Sequence, residues 1–96
     1  MARHALDTQK IVSICRDGGA MRVALFGSTA RGDARPDSDV DILVRFGEPI
    51  GLLALVRLER QLSEALGRDV DLVTEGAISP YLRDRIEREQ RVLYDA

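Results

Sequence analysis

The sequence has no tryptophan, a single cysteine, three prolines and only four aromatic side chains in 96 residues. With Cys15 alone, neither an intrachain disulfide nor a cysteine-based metal site is open to the chain. Cys15 falls in the helical pattern Ile11, Ile14, Cys15 and reads as core filler. Phe26, Phe46, Tyr81 and Tyr94 are too few to build a core, which must be aliphatic, and they leave few rings on which to stack bases. Basic excess is missing too: the formal net charge is −2, and Lys10 is the sole lysine among fourteen basic residues. A general nucleic-acid binder releases counterions with a surplus of positive charge, so any phosphate chemistry here must be local. No apolar run approaches the ~20 residues that a bilayer requires, and no secretory signal pattern is visible. A cytoplasmic location without membrane attachment is expected. The length suits one domain, residues 1–96, near the lower limit for a lone hydrophobic core.

What is present alternates between helical and extended patterns. Asp7 or Thr8 can cap a first helix that Gly18-Gly19 ends. Residues 21 to 26 form an apolar strand running into Gly27-Ser28, a tight turn and a short helical segment closed by Gly32. Residues 33 to 38 are polar, contain Pro36 and read as a loop before a second strand, 39 to 46. Residues 52 to 66 place Leu52, Leu55, Leu58, Leu62, Ala65 and Leu66 on one helical face, and Gly67 ends that helix. A third strand, 68 to 74, precedes Ser79-Pro80, a cap with proline at the first helical position. The last helix runs to about residue 90, with Asp84–Arg88 and Glu87–Arg91 at spacing four on a solvated face, and residues 92 to 94 suit a final short strand. The order predicts an α/β domain of the α+β kind, a small mixed sheet flanked by helices.

Asp39 and Asp41 stand two apart in a strand, so they leave the same face, while Val40, Ile42 and Val44 line the other. At ~6 Å and an effective dielectric of ~20, two such carboxylates repel by roughly 3 kcal/mol, and something cationic should offset that. One account is modest: Asp39 caps the rim and Asp41 pairs with Arg31 or Arg35. Asp71, set among Val70, Leu72 and Val73, offers another, because a neighbouring strand can bring a third carboxylate to the same edge. Three carboxylates suit a hard cation such as Mg²⁺, which completes its shell with water and substrate phosphates. Gly27-Ser28 fits the complementary half. Read alone it is an ordinary turn with Ser28 as cap; beside the aspartates, its glycine lets backbone approach a phosphate and its hydroxyl adds a hydrogen bond.

Gly27-Ser28, ten intervening residues and Asp39-Val40-Asp41 together resemble the signature of the polymerase-beta-like nucleotidyltransferase superfamily. The run GSTARGDARPDSDVDILV is similar to that of the minimal nucleotidyltransferases, many of which are antitoxins encoded beside HEPN-domain toxins. The likeness extends over nearly the whole chain, with no departure at the three aspartates or at Gly27-Ser28. It implies the polymerase-beta-like fold. It also implies that Asp39 and Asp41 bind two Mg²⁺ ions, that Asp71 shares the ion nearer the acceptor and helps take its proton, and that Gly27 and Ser28 hold the triphosphate of ATP. Arg31 would touch the departing phosphates, or pair with Asp33 or Asp37 and hold the loop. Transfer of AMP to a tyrosine of a partner HEPN toxin is the implied reaction. The other readings are a module that masks a toxin sterically, or transfer to a small molecule or RNA end.

Three further features stay open at this level. Leu53, Ala54 and Val56, off the main stripe of the long helix, contribute to a partner contact or are covered within the fold. Tyr81 and Tyr94 stack a nucleobase or cover the core. His4, the sole histidine, lies near the terminus and reads as incidental.

Overall fold

The structure, a computed structural model, describes residues 6–32 and 39–96. The chain runs α1 (Thr8–Asp17), β1 (Ala20–Leu25), α2 (Gly27–Arg31), β2 (Val40–Phe46), α3 (Leu52–Leu66), β3 (Val70–Thr74), a 3-10 turn (Glu75–Ala77), α4 (Pro80–Glu89) and β4 (Arg91–Asp95). Capping follows the sequence signals. The Asp7 carboxylate accepts from the Lys10 amide at 3.0 Å, Ser79 accepts from the Tyr81 amide at 3.3 Å with Pro80 next in line, and Gly32 and Gly67 end their helices in the left-handed region. The expected loop at 33 to 38, and His4 near the terminus, lie outside the described residues.

The sheet is mixed, in the order β3-β2-β1-β4: β2 and β3 are parallel, joined by the α3 crossover, and the other two pairings are antiparallel. Strand alternation sorts its two faces. Val40, Ile42 and Val44 meet Val23, Leu25, Val70 and Leu72 in a buried layer closed by Ile11 and Cys15 from α1 and by Leu58 and Leu62 from α3. Asp41, Leu43 and Arg45 therefore belong to the opposite face.

Side chains from α3 finish the edge of β3. Ser63 Oγ accepts from the Val70 amide at 3.1 Å, and Glu59 Oε2 accepts from the Leu72 amide at 2.9 Å. Two strand donors that would otherwise face outward are thereby satisfied, and the strand carrying Asp71 is held in register. At the far end of the sheet Arg22 works as a tie: its Nη1 donates to Glu75 Oε2 at 2.8 Å and to Gln90 Oε1 at 3.2 Å, and its Nε lies 3.6 Å from Asp95.

Two expectations are corrected. Leu52 is not on the buried stripe of α3. It is 75% exposed and lines an open groove with Phe46, Pro49 and Ile50, so the helix engages the core only from Leu55 onward. On α4 the spacing-four ion pair among the described residues is Arg85–Glu89 at 3.6 Å rather than the two pairs expected, and the Glu87–Arg91 spacing has no meaning because Arg91 already belongs to β4. No helix among the described residues is long and apolar enough to cross a membrane.

Cys15 is fully buried, and that burial pushes its thiol up to about 12. At pH 8 the folded protein should resist iodoacetamide while the urea-unfolded chain is alkylated, as read by intact mass; rapid alkylation of the folded form would contradict the packing. The sign for stability is also set. An unfolded thiol ionises near its ordinary value of 9.0 while the folded one stays protonated, so this residue's contribution declines as the pH rises from there towards about 12.

Candidate active site

The parallel register of β2 and β3 sets Asp41 directly beside Asp71. Neighbouring strands are about 4.8 Å apart, so the two carboxylates rise side by side from one face. Asp39 stands two residues earlier, just outside the strand and exposed. The Asp41 carboxyl is pushed above the usual carboxylate range, first by loss of water around it, then by the negative charges of Asp71 and Asp39, with Arg31 acting in the opposite direction. All three predicted aspartates thus act on one point, as does the predicted arginine.

The turn after β1 closes on the same point. Gly27 opens α2 with φ +60°, and a Cβ placed there would lie 2.7 Å from Asp41 Oδ2. No other residue type allows so close an approach of this backbone to the carboxylate. The turn is latched to β2 by two hydrogen bonds around Asp41: the Phe26 amide donates to the Asp41 carbonyl, and the Asp41 amide donates to Thr29 Oγ1, both at 3.1 Å. Ser28 follows in the first turn of α2, half-buried. Thr29 is the residue that sequence reasoning missed. The available hint was a threonine among small residues in a segment too short to need an apolar stripe.

In the orientations observed, no three acidic, histidine or cysteine side chains among the described residues stand close enough to enclose a metal ion. Asp39 and Asp71 are exposed, however, so packing does not lock either side chain in the observed orientation. Their donor set is hard oxygen throughout, and the charge crowding at Asp41 is of the kind a cation relieves. The residues fit a divalent ion such as Mg²⁺ that takes its remaining ligands from water and phosphate.

Arg31 Nη1 lies 3.6 Å from Glu89 Oε2, tying α2 to the last turn of α4. Its expected alternatives Asp33 and Asp37, like Arg35, lie outside the described residues. The two tyrosines part company. Tyr94 is half-buried against the core with the Arg16 guanidinium 4.8 Å above its ring, whereas Tyr81 is 94% exposed and covers nothing.

The nucleotidyltransferase domain family matches residues 9–93. A Methanocaldococcus jannaschii protein assigned by name to the protein adenylyltransferases is 48% identical over 81 residues, 84% of this chain and 87% of that one. In a solved toxin-antitoxin structure with AMP-PNP, one chain superposes with a TM-score of 0.85 at 30% identity, over 95% of this chain and 75% of its own length. A chain in the complex of a tri-AMPylated Shewanella oneidensis HEPN toxin with its MNT antitoxin superposes with a TM-score of 0.75 at 27% identity, over 93% of this chain and 70% of its own.

Proposed function

Because this chain belongs to the nucleotidyltransferase domain family, we propose that it transfers AMP from ATP to a tyrosine hydroxyl of a HEPN toxin encoded beside it, and acts as the antitoxin. The observation that carries the reading is the juxtaposition of Asp41 and Asp71 by strand register with Gly27 against Asp41. The adenylyltransferase relative and the two toxin-antitoxin complexes support it.

Asp39 and Asp41 would hold the Mg²⁺ ions, and Asp71 would help hold the one on the acceptor's side. Ions bound there would lower the charge of the triphosphate and make the acceptor oxygen a better nucleophile. The Gly27-Ser28 turn grips the triphosphate, and Arg31 joins it on the departing phosphates. The acceptor oxygen attacks the α-phosphorus, the bond from that phosphorus to the bridging oxygen breaks, and pyrophosphate leaves. Asp71 helps take the proton the acceptor loses.

A partner must present the acceptor, and the first turns of α3 offer it a surface. Leu53 is 76% exposed, and Ala54 and Val56 are exposed beside it, so cover within the fold is ruled out for these positions. Leu53→Asp is expected to weaken capture of the toxin by about tenfold or more, with thermal unfolding unchanged because no core contact is lost. Capture at wild-type strength would remove this surface from the account.

The same exposed turn favours a second reading, in which the domain only masks the toxin. Incubation with Mg²⁺ and ATP labelled in the α-phosphate separates the two. Label on the toxin supports the enzyme. Neutralisation without label supports the mask, and label transferred to RNA or a small molecule in the toxin's absence would replace the proposed acceptor.

A further inference from the structure

The sheet face that carries Asp41 and Asp71 continues into a cleft of about 660 Å³ beneath α4. Leu43, the next residue after Asp41 on that face, lies on its floor, and Ile78 and Ile86 supply apolar walls. Polar groups close the far end. Arg22 Nη1 donates to Glu75 Oε2 at 2.8 Å and to Gln90 Oε1 at 3.2 Å. A guanidinium only donates, so the amide of Gln90 is oriented: its oxygen is committed to Arg22, and its amino group remains a donor on the other side. Glu75 likewise spends one oxygen on Arg22 and keeps the other as an acceptor.

The cleft thus sets a fixed donor and a fixed acceptor between aliphatic surfaces. Its ionic groups largely neutralise one another, Arg22 with Glu75 and Arg45 with Asp95 at 3.6 Å, so an uncharged heterocycle suits it better than an ion. An adenine edge has the complementary pair, a ring nitrogen that accepts and an amino group that donates. The length is also right. Asp41 and Arg45 are four residues apart, about 13 Å along a strand, which accommodates a ribose and base extending from an α-phosphate held at the carboxylates.

The geometry points to this cleft as the base subsite of the nucleotide, with Gln90 and Glu75 reading adenine; the inference rests on the nucleotidyltransferase function proposed above. A polypeptide acceptor is the other candidate occupant, and it would have to thread under α4 to reach the same floor.

The test is Mg²⁺-dependent binding of ATP, GTP and inorganic tripolyphosphate to the full chain by calorimetry, for wild type, Gln90→Ala and Glu75→Gln. Wild type should prefer ATP to GTP, whose ring N–H donor and carbonyl acceptor reverse the adenine pair, by about tenfold, and Gln90→Ala should lose about tenfold for ATP with little change for GTP. Glu75→Gln should shift the ratio the same way. Unchanged tripolyphosphate binding shows that the variants are folded and that their phosphate site is intact. Equal binding of ATP and GTP by wild type overturns the subsite while leaving the proposed function standing. So does an equal loss for all three ligands in Gln90→Ala, or unchanged nucleotide binding with a raised KM for the partner protein. If wild type binds none of the three, the proposed function fails and this inference with it.

Discussion

Asp39→Asn/Asp41→Asn is expected to lower AMP transfer by about a thousandfold or more, the several kcal/mol that cation stabilisation of transferring phosphate is worth, and to leave the domain at least as heat-resistant as wild type. The second half of the result follows from the electrostatics. A carboxyl whose folded value is raised loses stability as the pH rises through its unfolded value of 3.8 and on through the folded one, so at neutral pH the folded domain carries the cost of Asp41's lost hydration first and of its crowding by Asp71 and Asp39 second. Asparagine keeps the shape and removes the charge. The single Asp41→Asn should show the same thermal behaviour. Mg²⁺ should raise the Tm of wild type more than that of either variant, because binding to the folded state alone stabilises it. Differential scanning fluorimetry with and without Mg²⁺ reads this directly. A variant that transfers AMP normally, or one that melts several degrees lower with an undiminished Mg²⁺ response, would be incompatible with a carboxylate site held under repulsion for function.

Gly27→Ala should cost both stability and activity, for two separable reasons. At φ +60° the added Cβ brings the left-handed penalty of about 1–2 kcal/mol, roughly 4–16 °C in Tm for a domain of this size. Lying 2.7 Å from Asp41 Oδ2, it must also displace that carboxylate. A shift of about 1 Å at a reacting centre can cost a hundredfold, and transfer should fall by at least that. Gly32→Ala isolates the first effect. Gly32 has φ +80° but nothing within 4 Å of its Cβ position, so its replacement should lower Tm and spare kcat/KM. Should both variants lose activity alike, close approach of the turn to Asp41 would not be what Gly27 provides.

Much of this architecture was legible because it rests on local rules. Period-3.6 apolar spacing marked α3 to its observed ends, and glycine, proline and serine at the boundaries marked the turns. Strand alternation separated Asp41 from Val40, Ile42 and Val44, and the apolar frame of Asp71 marked it for a neighbouring strand, which the parallel register of β3 on β2 supplies; Asp39, expected as the first residue of β2, stands just outside it. What escaped are contacts between residues distant along the chain. Thr29 on the Asp41 amide, Glu59 and Ser63 on the edge of β3, and Arg22 joining Glu75 to Gln90 all depend on a polar group meeting a particular backbone or side-chain partner. Such bonds have no period and leave no pattern. Leu52 erred in the opposite sense: the helical stripe was continuous, but the sheet beneath it was not.

The claim on which everything else depends is that Asp39, Asp41 and Asp71 share a divalent-cation pocket against the Gly27-Ser28 turn. Crystals of the chain grown with Mn²⁺ and a non-hydrolysable ATP analogue test it through anomalous scattering. The account predicts a metal peak between Asp41 and its acidic neighbours with the triphosphate seated on Gly27 and Ser28. A metal peak away from these carboxylates, or a triphosphate bound on another surface, would contradict it.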